Sequence, residues 1–169
     1  MALINIAGTV NDSIVDGEGY RFTIFTQGCP HHCAGCHNPH THDFAGGKKV
    51  DTDSLFTTIC ANKLLSGVTF SGGEPFCQPA PLVELGLKLK QKYLDIWIYT
   101  GYTLEALQAL HSKDIDALLT LGDVLVDGKF ILARRDLTLA FRGSSNQRLI
   151  DLNKTRTTGH VVLKKLDSW

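Results

Sequence analysis

Cysteine and histidine are concentrated in one short segment, GCPHHCAGCHNPHTH, which covers residues 28–42 and which we call the cysteine loop. It holds three of the five cysteines and five of the seven histidines. Cys29, Cys33 and Cys36 have the spacing C-x3-C-x2-C, which is short enough for one loop to bring three thiolates to a single inorganic centre. Thiolates bind zinc and iron–sulfur clusters in proteins. The segment therefore predicts metal or redox chemistry.

Several interpretations of the cysteine loop are open from the residues alone. A structural zinc site would add His37 or His40 as a fourth ligand, although zinc spacings usually come as two paired knuckles. A redox disulfide would need only Cys33 and Cys36, and buried structural thiols would not need so many Gly, Pro and His neighbours. We favour an iron–sulfur cluster: a four-iron cluster normally has four thiolate ligands, so three thiolates leave one iron open.

A second unusual stretch, Ser71-Gly-Gly-Glu-Pro75, follows the short predicted strand Val68–Phe70. Glycine has no Cβ atom and therefore lets the backbone approach a ligand closely. The Glu74 carboxylate is an acceptor for an ammonium group. Gly and Pro also punctuate ordinary loops, so this stretch by itself indicates no more than a turn.

The length of 169 residues and the hydrophobic fraction of 43% predict a single domain over residues 1–169. Seventeen basic residues balance seventeen acidic ones, so the charge gives no reason to expect binding to nucleic acid or to an anionic membrane. The N-terminus lacks signal-peptide features, and no stretch is long and apolar enough to span a membrane. We expect a cytoplasmic protein, in whose reducing environment the cysteines do not form a disulfide framework.

The elements that must position these residues alternate between strand and helix. The predicted strands are Arg21–Gln27, Val68–Phe70, Asp95–Thr100, Asp123–Asp127 and, less regularly, Val161–Lys164; the predicted helices are Asp51–Leu65, Pro81–Tyr93 and Leu104–His111. Such alternation predicts parallel pairing, and a closed eight-stranded α/β barrel usually needs about 250 residues. We therefore predict an α/β fold, an open and incomplete parallel β/α barrel of about four to six strands.

The first four predicted strands each end at an unusual group of residues. These groups are, in chain order, Cys29, Gly72-Gly73, Thr100-Gly101 and Asp127–Lys129. The carboxyl ends of parallel strands lie side by side along one edge of a sheet. We therefore expect the four groups to converge on one site.

Together, the cysteine loop and Ser71-Gly-Gly-Glu-Pro75 resemble the signature of the radical S-adenosylmethionine enzymes, and the resemblance implies that the predicted barrel is of their type. Many members carry Tyr or Phe where this chain has His37 after the last cysteine. The resemblance implies a [4Fe-4S] cluster whose ligands are Cys29, Cys33 and Cys36, with S-adenosylmethionine bound to the open iron.

The resemblance also implies which residues contact S-adenosylmethionine. They are Gly35, Cys36 and His37 on its adenosine side, Gly72, Gly73 and Glu74 at its methionine end, and Asp127 and Lys129 near its ribose and carboxylate. The sequence Asp127-Gly-Lys129 is also typical of a solvated turn.

A narrower resemblance covers the chain from about residue 5 to residue 150. VDGEGYRFTIFTQGC (15–29) resembles the glycyl-radical activating enzymes. Within that branch, DIWIYTGY (95–102), DVLVDGKF (123–130) and FRGSSNQR (141–148) are similar to the anaerobic ribonucleotide reductase activating proteins. The implied reaction is reductive cleavage of S-adenosylmethionine to a 5′-deoxyadenosyl radical, which removes a hydrogen atom from a backbone glycine of the reductase.

The implied partners are the large, glycyl-radical subunit of the anaerobic reductase and a flavodoxin or ferredoxin as electron donor. The resemblance is also compatible with a homodimer. Two alternatives stay open. One is an activase of another glycyl-radical enzyme, such as pyruvate formate-lyase, which the short length disfavours. The other is a zinc-stabilised binding module without catalysis.

The remaining cysteines and polar residues are assigned from their surroundings. We expect Cys60 to pack within a helix and Cys77 to be no ligand, because a fourth thiolate would fill the open iron position. The polar loop Arg142–Arg148 is typical of an anion site or a helix cap. Four loop histidines receive no role: His31, His32, His40 and His42.

Overall fold

The computed structural model describes residues 2–166, which form a mixed α/β fold. The strands are β1 (Leu3–Ser13), β2 (Arg21–Thr26), β3 (Lys48–Asp51), β4 (Gly67–Gly72), β5 (Asp95–Tyr99), β6 (Val124–Asp127) and β7 (Arg148–Asp151). The α-helices are α1 (Thr52–Ala61), α2 (Pro79–Gln91), α3 (Leu104–Ala109), α4 (Lys113–Leu121) and α5 (Leu152–Thr158). The strands form one sheet in the order β3-β1-β2-β4-β5-β6-β7.

The centre of the sheet is the parallel part that the sequence predicts. β2, β4, β5 and β6 pair in parallel in that order, and each corresponds to a predicted strand. α1 begins after Asp51, whose side chain accepts a hydrogen bond from the Asp53 N–H, and α3 begins after Thr103, whose hydroxyl accepts from the Ala106 N–H. Both helices therefore begin at a residue whose side chain caps the first turn.

The predicted number of strands is wrong: the sheet of the described residues has seven strands, and the sequence predicts about four to six. The three additional strands, β1, β3 and β7, are antiparallel additions to the parallel centre. Much of β1 is exposed, and β3 and β7 have four residues each, so none shows a clear apolar alternation. The predicted strand Val161–Lys164 provides a single bridge, from Leu163 to Ile150.

The parallel strands are buried on both faces, as this kind of sheet requires. In β5, Ile96 and Ile98 belong to the main core, which the apolar sides of α1, α2, α3 and α4 cover. Trp97 points to the opposite face and belongs to a smaller apolar cluster there. Within residues 2–166, no helix has the length and apolar character needed to cross a membrane.

A buried arginine joins the strands at the end of the sheet opposite the cysteine loop. Arg21 is 0% exposed. Its guanidinium donates to Thr69 Oγ1 (2.7 Å) and to the Val68 carbonyl (2.9 Å), and it lies 2.6 Å from an Asp95 carboxylate oxygen. Burial lowers the pKa of Arg21, and the charge of Asp95 acts in the opposite direction. One side chain thus joins β2, β4 and β5.

We predict that Arg21→Met lowers the free energy of unfolding by about 2–3 kcal/mol, because the buried Thr69 hydroxyl and Val68 carbonyl lose their donor. Urea unfolding measures this loss. Lys88→Met is the control, because the ion pair of Lys88 with Asp53 lies at the surface and its loss costs far less. Equal losses in the two variants would contradict the role given to Arg21.

Candidate functional site

The turns that follow the four parallel strands contact one another at one edge of the sheet, which we call the carboxyl edge. Gly73, after β4, donates its N–H to the Thr26 carbonyl at the end of β2 (2.7 Å). Gly128, after β6, donates its N–H to the Tyr102 carbonyl after β5 (2.8 Å). The four turns therefore lie at one edge of the sheet, as the sequence predicts; that they form one site stays a prediction.

Two glycines allow β4 and β2 to approach closely at this edge. Gly72 has φ +92°, and a Cβ atom there would lie 2.4 Å from the Thr26 nitrogen. A Cβ atom on Gly73 would lie 2.4 Å from the Gly28 carbonyl oxygen. Both distances are far shorter than real contacts, so any larger residue would force the two turns apart. The Gly-Gly pair is therefore a condition for bringing the cysteine loop beside β4.

The cysteine loop begins directly after β2. Cys29 is buried, Cys33 and Cys36 are half-buried, and all three thiols are free. The Cys36 N–H donates to the Cys33 carbonyl (3.2 Å), and Gly35 between them has φ +73°. Burial raises the pKa of Cys29, a backbone hydrogen bond from His31 opposes it, and the charge of Glu74 adds to it. Binding of a metal by Cys29 must therefore release a proton.

Glu74 lies beneath the cysteine loop, and its side chain is 0% exposed. One carboxylate oxygen accepts from His31 Nε2 (2.7 Å), from the Thr100 hydroxyl (2.8 Å) and from the Gly101 N–H (2.8 Å). The other accepts from the Phe76 N–H (3.0 Å). Its partners thus come from three of the four turns.

Asp127, at the end of β6, is also buried, with 1% exposure. Its carboxylate accepts from the Leu104 N–H (2.9 Å) and pairs with Arg148, whose Nη2 lies 2.5 Å away. Arg148 also pairs with Glu105 (2.7 Å), and hydrogen bonding by Arg148 is the main cause of the lowered pKa of Glu105. Lys129, two residues beyond Asp127, is exposed.

The segment after β6 lies against the cysteine loop. The rings of His37 and Phe130 meet edge to face, with centroids 5.3 Å apart. A Cβ atom on Gly35 would lie 3.0 Å from the Leu132 side chain. The end of the cysteine loop and the segment after β6 are therefore packed together.

The polar loop Arg142–Arg148 is held largely by hydrogen bonds within itself. The Gln147 side chain accepts from the N–H groups of Gly143 (2.8 Å) and Ser144 (3.1 Å) and donates to the Gly128 carbonyl (3.0 Å). Arg142 donates to the Gln147 carbonyl (3.2 Å). The loop therefore supports the turn after β6, and Arg148 at its end pairs with Asp127.

Comparison with known proteins connects this geometry with a family. A family model described as a 4Fe-4S single cluster domain matches residues 15–150, which include the whole cysteine loop. The chain is 37% identical to the anaerobic ribonucleoside-triphosphate reductase-activating protein of Escherichia coli K12 over 144 residues, 79% of this chain and 90% of that protein. The chain belongs to the family of anaerobic ribonucleoside-triphosphate reductase-activating proteins. The family resemblance inferred from the sequence is confirmed.

Other members of this activating-protein family show the same level of similarity. The protein of that name from Haemophilus influenzae is 39% identical over 79% of this chain and 89% of its own length. The protein from Enterobacteria phage T4 is 32% identical over 80% of this chain and 86% of its own. Among solved structures, QueE from Escherichia coli aligns with a TM-score of 0.46 and 22% identity over 60% of this chain and 53% of that one, a likeness too weak to support an argument.

The three thiols of the cysteine loop are suitable ligands for an iron–sulfur cluster. Within residues 2–166, no three His, Cys, Asp or Glu side chains are arranged to hold a single metal ion. Three free thiols on one loop, within a region that matches a 4Fe-4S domain, support a [4Fe-4S] cluster.

The two other cysteines lie outside the cysteine loop. Cys60 lies in α1 and is half-buried. Cys77 is exposed and lies after the Gly-Gly turn. Desolvation, with the charges of Glu74 and Cys29, raises the pKa of Cys77 to about 11. That Cys77 is no ligand stays a prediction.

The sequence does not predict the contacts that three side chains make at the carboxyl edge. His31 had no local signal, because its partner Glu74 is distant in the chain. For Thr100, the sequence indicates only a place at the end of a strand. For Arg148, it indicates only a place in a polar loop, because the ion pair with Asp127 depends on the antiparallel pairing of β7 with β6.

We predict that Glu105→Gln destabilises the protein by about 0.2–1 kcal/mol at pH 7, the range for a solvent-screened ion pair. The pKa of Glu105 is lowered in the folded state, so its contribution is complete above the unfolded pKa of about 4.3 and disappears as the pH falls through the folded value. Urea unfolding of both proteins at pH 7 and at about pH 3 measures this. A difference that does not shrink at the lower pH would contradict the assigned ion pair.

Proposed function

We propose that this chain activates the anaerobic ribonucleotide reductase by radical S-adenosylmethionine chemistry. One observation carries the proposal: the cysteine loop, within a region that matches a 4Fe-4S domain, lies beside the Gly-Gly turn of β4. The names of the relatives supply the substrate, a reductase that is to be activated. We also propose that residues 1–169 form one domain and that the sheet is an incomplete barrel.

Cys29, Cys33 and Cys36 would hold the [4Fe-4S] cluster, with one iron left for the amino and carboxylate groups of S-adenosylmethionine. When bound and reduced by an external electron donor, the cluster would supply the electron needed to cleave S-adenosylmethionine to methionine and a 5′-deoxyadenosyl radical, the species that would take a hydrogen atom from a reductase glycine. The protein contributes by excluding water from Cys29 and by fixing the loop against β4.

The proposed contacts of S-adenosylmethionine surround the cysteine loop. Gly35, Cys36 and His37 would meet its adenosine side, where the exposed His37 ring stands in place of a Tyr or Phe. The Gly-Gly turn would meet the methionine end with its backbone; the space that a side chain would need at Gly72 and Gly73 is already filled by the end of β2 and the turn after it.

The charged residues proposed as contacts differ in how accessible they are. The exposed Lys129 would meet the carboxylate directly. The carboxylates of Glu74 and Asp127 are buried and have protein donors, so contact with the methionine ammonium group or the ribose would require the ligand to reach below the surface of the site.

The proposed partner is the large, glycyl-radical subunit of the reductase, and the proposed electron donor is a flavodoxin or ferredoxin. We propose a cytoplasmic location, because all five cysteines are free thiols. A homodimer is compatible with the proposal.

We predict that anaerobic reconstitution with iron and sulfide gives a brown protein with about four irons per chain. Cys33→Ala should lose most of the iron, because two thiolates cannot hold the cluster, whereas Cys77→Ala should retain it. Iron and sulfide analysis with absorption spectroscopy measures both variants. A colourless protein that binds one zinc, or loss of iron in Cys77→Ala, would contradict the proposed ligands.

We predict that the reconstituted protein, with a reductant and S-adenosylmethionine, produces a glycyl radical on the anaerobic ribonucleotide reductase. Electron paramagnetic resonance detects this radical, and the Cys33→Ala protein is the negative control. Exposure to air should abolish the signal, because an incompletely ligated cluster is open to oxidants. A strong signal with pyruvate formate-lyase and none with the reductase would identify a different substrate.

A further inference from the structure

The Glu74 carboxylate accepts hydrogen bonds from residues of three turns at the carboxyl edge. It is fully buried, and three donors share one of its oxygens: His31 Nε2, the Thr100 hydroxyl and the Gly101 N–H. A buried carboxylate depends on such donors, because it has lost its hydration. Two of the donors come from the turn after β5, and one comes from the cysteine loop.

His31 is the donor that belongs to the cysteine loop, midway between Cys29 and Cys33. Its side chain is 6% exposed, and its ring meets the Tyr102 ring edge to face at 4.6 Å. A Cβ atom on Gly101 would lie 2.4 Å from the His31 ring, so the ring occupies space that only glycine leaves. The ring is thus held by packing on one side and by the carboxylate on the other.

We infer that His31 is a positioning residue that fastens the cysteine loop to Glu74 and thereby fixes the Cys29 and Cys33 thiols for cluster binding. The inference rests on the proposed function in one respect, that the loop holds the cluster. His31 needs no contact with the cluster in this role. It acts by joining the loop to β4 and β5, which the sheet holds rigid.

Two features favour this role over a purely structural one. The main core lies on the faces of the sheet and does not include His31, so the fold does not depend on this side chain. Between Cys29 and Cys36 the loop forms neither helix nor strand, so its course there depends on side-chain contacts such as that of His31 with Glu74. Loss of the His31 bond should therefore loosen the cysteine loop and leave the sheet intact.

The test compares four proteins: wild type, His31→Ala, His31→Gln and Thr100→Val. Glutamine keeps a donor that can take the place of Nε2, whereas alanine does not. Thr100→Val removes a donor from the same Glu74 oxygen but leaves the cysteine loop attached, which makes it the matched control. His31→Phe keeps the ring packing without the hydrogen bond and replaces the alanine variant if that one does not fold.

Two measurements are made on these proteins. In the reconstituted proteins, iron loss to a chelator should be about tenfold faster in His31→Ala, close to wild type in His31→Gln and little changed in Thr100→Val; tenfold corresponds to about 1.4 kcal/mol. In the proteins without cluster, hydrogen exchange of the amides of residues 28–36 should rise in His31→Ala alone. The urea midpoint should differ little among the four.

The outcomes separate this inference from the proposed function. Equal iron loss in His31→Ala and Thr100→Val would overturn it, because the effect would then come from Glu74 in general. Unchanged exchange of the cysteine loop in His31→Ala would also overturn it. If wild type binds no cluster, the proposed function fails, and the exchange measurement still decides whether His31 fastens the loop.

Discussion

Parallel pairing of β2, β4, β5 and β6 places their four carboxyl ends at one edge, and the candidate site depends on that pairing. Parallel strands end on the same side of a sheet, so the turns that follow them must share a small space. Polar groups in those turns lose their contact with water and need partners from neighbouring turns. The buried carboxylates of Glu74 and Asp127 meet that need.

Glu74 and Asp127 each hold a different part of the carboxyl edge by hydrogen bonds. Glu74 joins the turns after β2, β4 and β5, and Asp127 joins the start of α3 to β6 and, through Arg148, to β7. Each accepts from backbone N–H groups as well as from side chains, so each fixes the course of the chain. The cysteine loop, which has little regular structure of its own, therefore rests on a rigid base.

Much of the fold could be predicted from the sequence because its signals are local. The four parallel strands are buried apolar runs, and their helices begin at capping residues such as Asp51 and Thr103. β1, β3 and β7 were not predicted, because their pairing depends on contacts between distant parts of the chain. The sequence predicts one helix after β5, Leu104–His111, and the structure adds α4 after it, beginning at the Ser112 cap.

For the candidate site, the sequence by itself determined which atoms are available for chemistry and which strand each follows. The spacing of Cys29, Cys33 and Cys36 and the glycines at 72 and 73 are local features, and the course of four strands places them at one edge. Only the tertiary structure decided what the charged groups do. Whether Glu74 faces a ligand or accepts from His31 depends on how separate turns pack, because burial and hydrogen-bond partners are set by residues far apart in the chain.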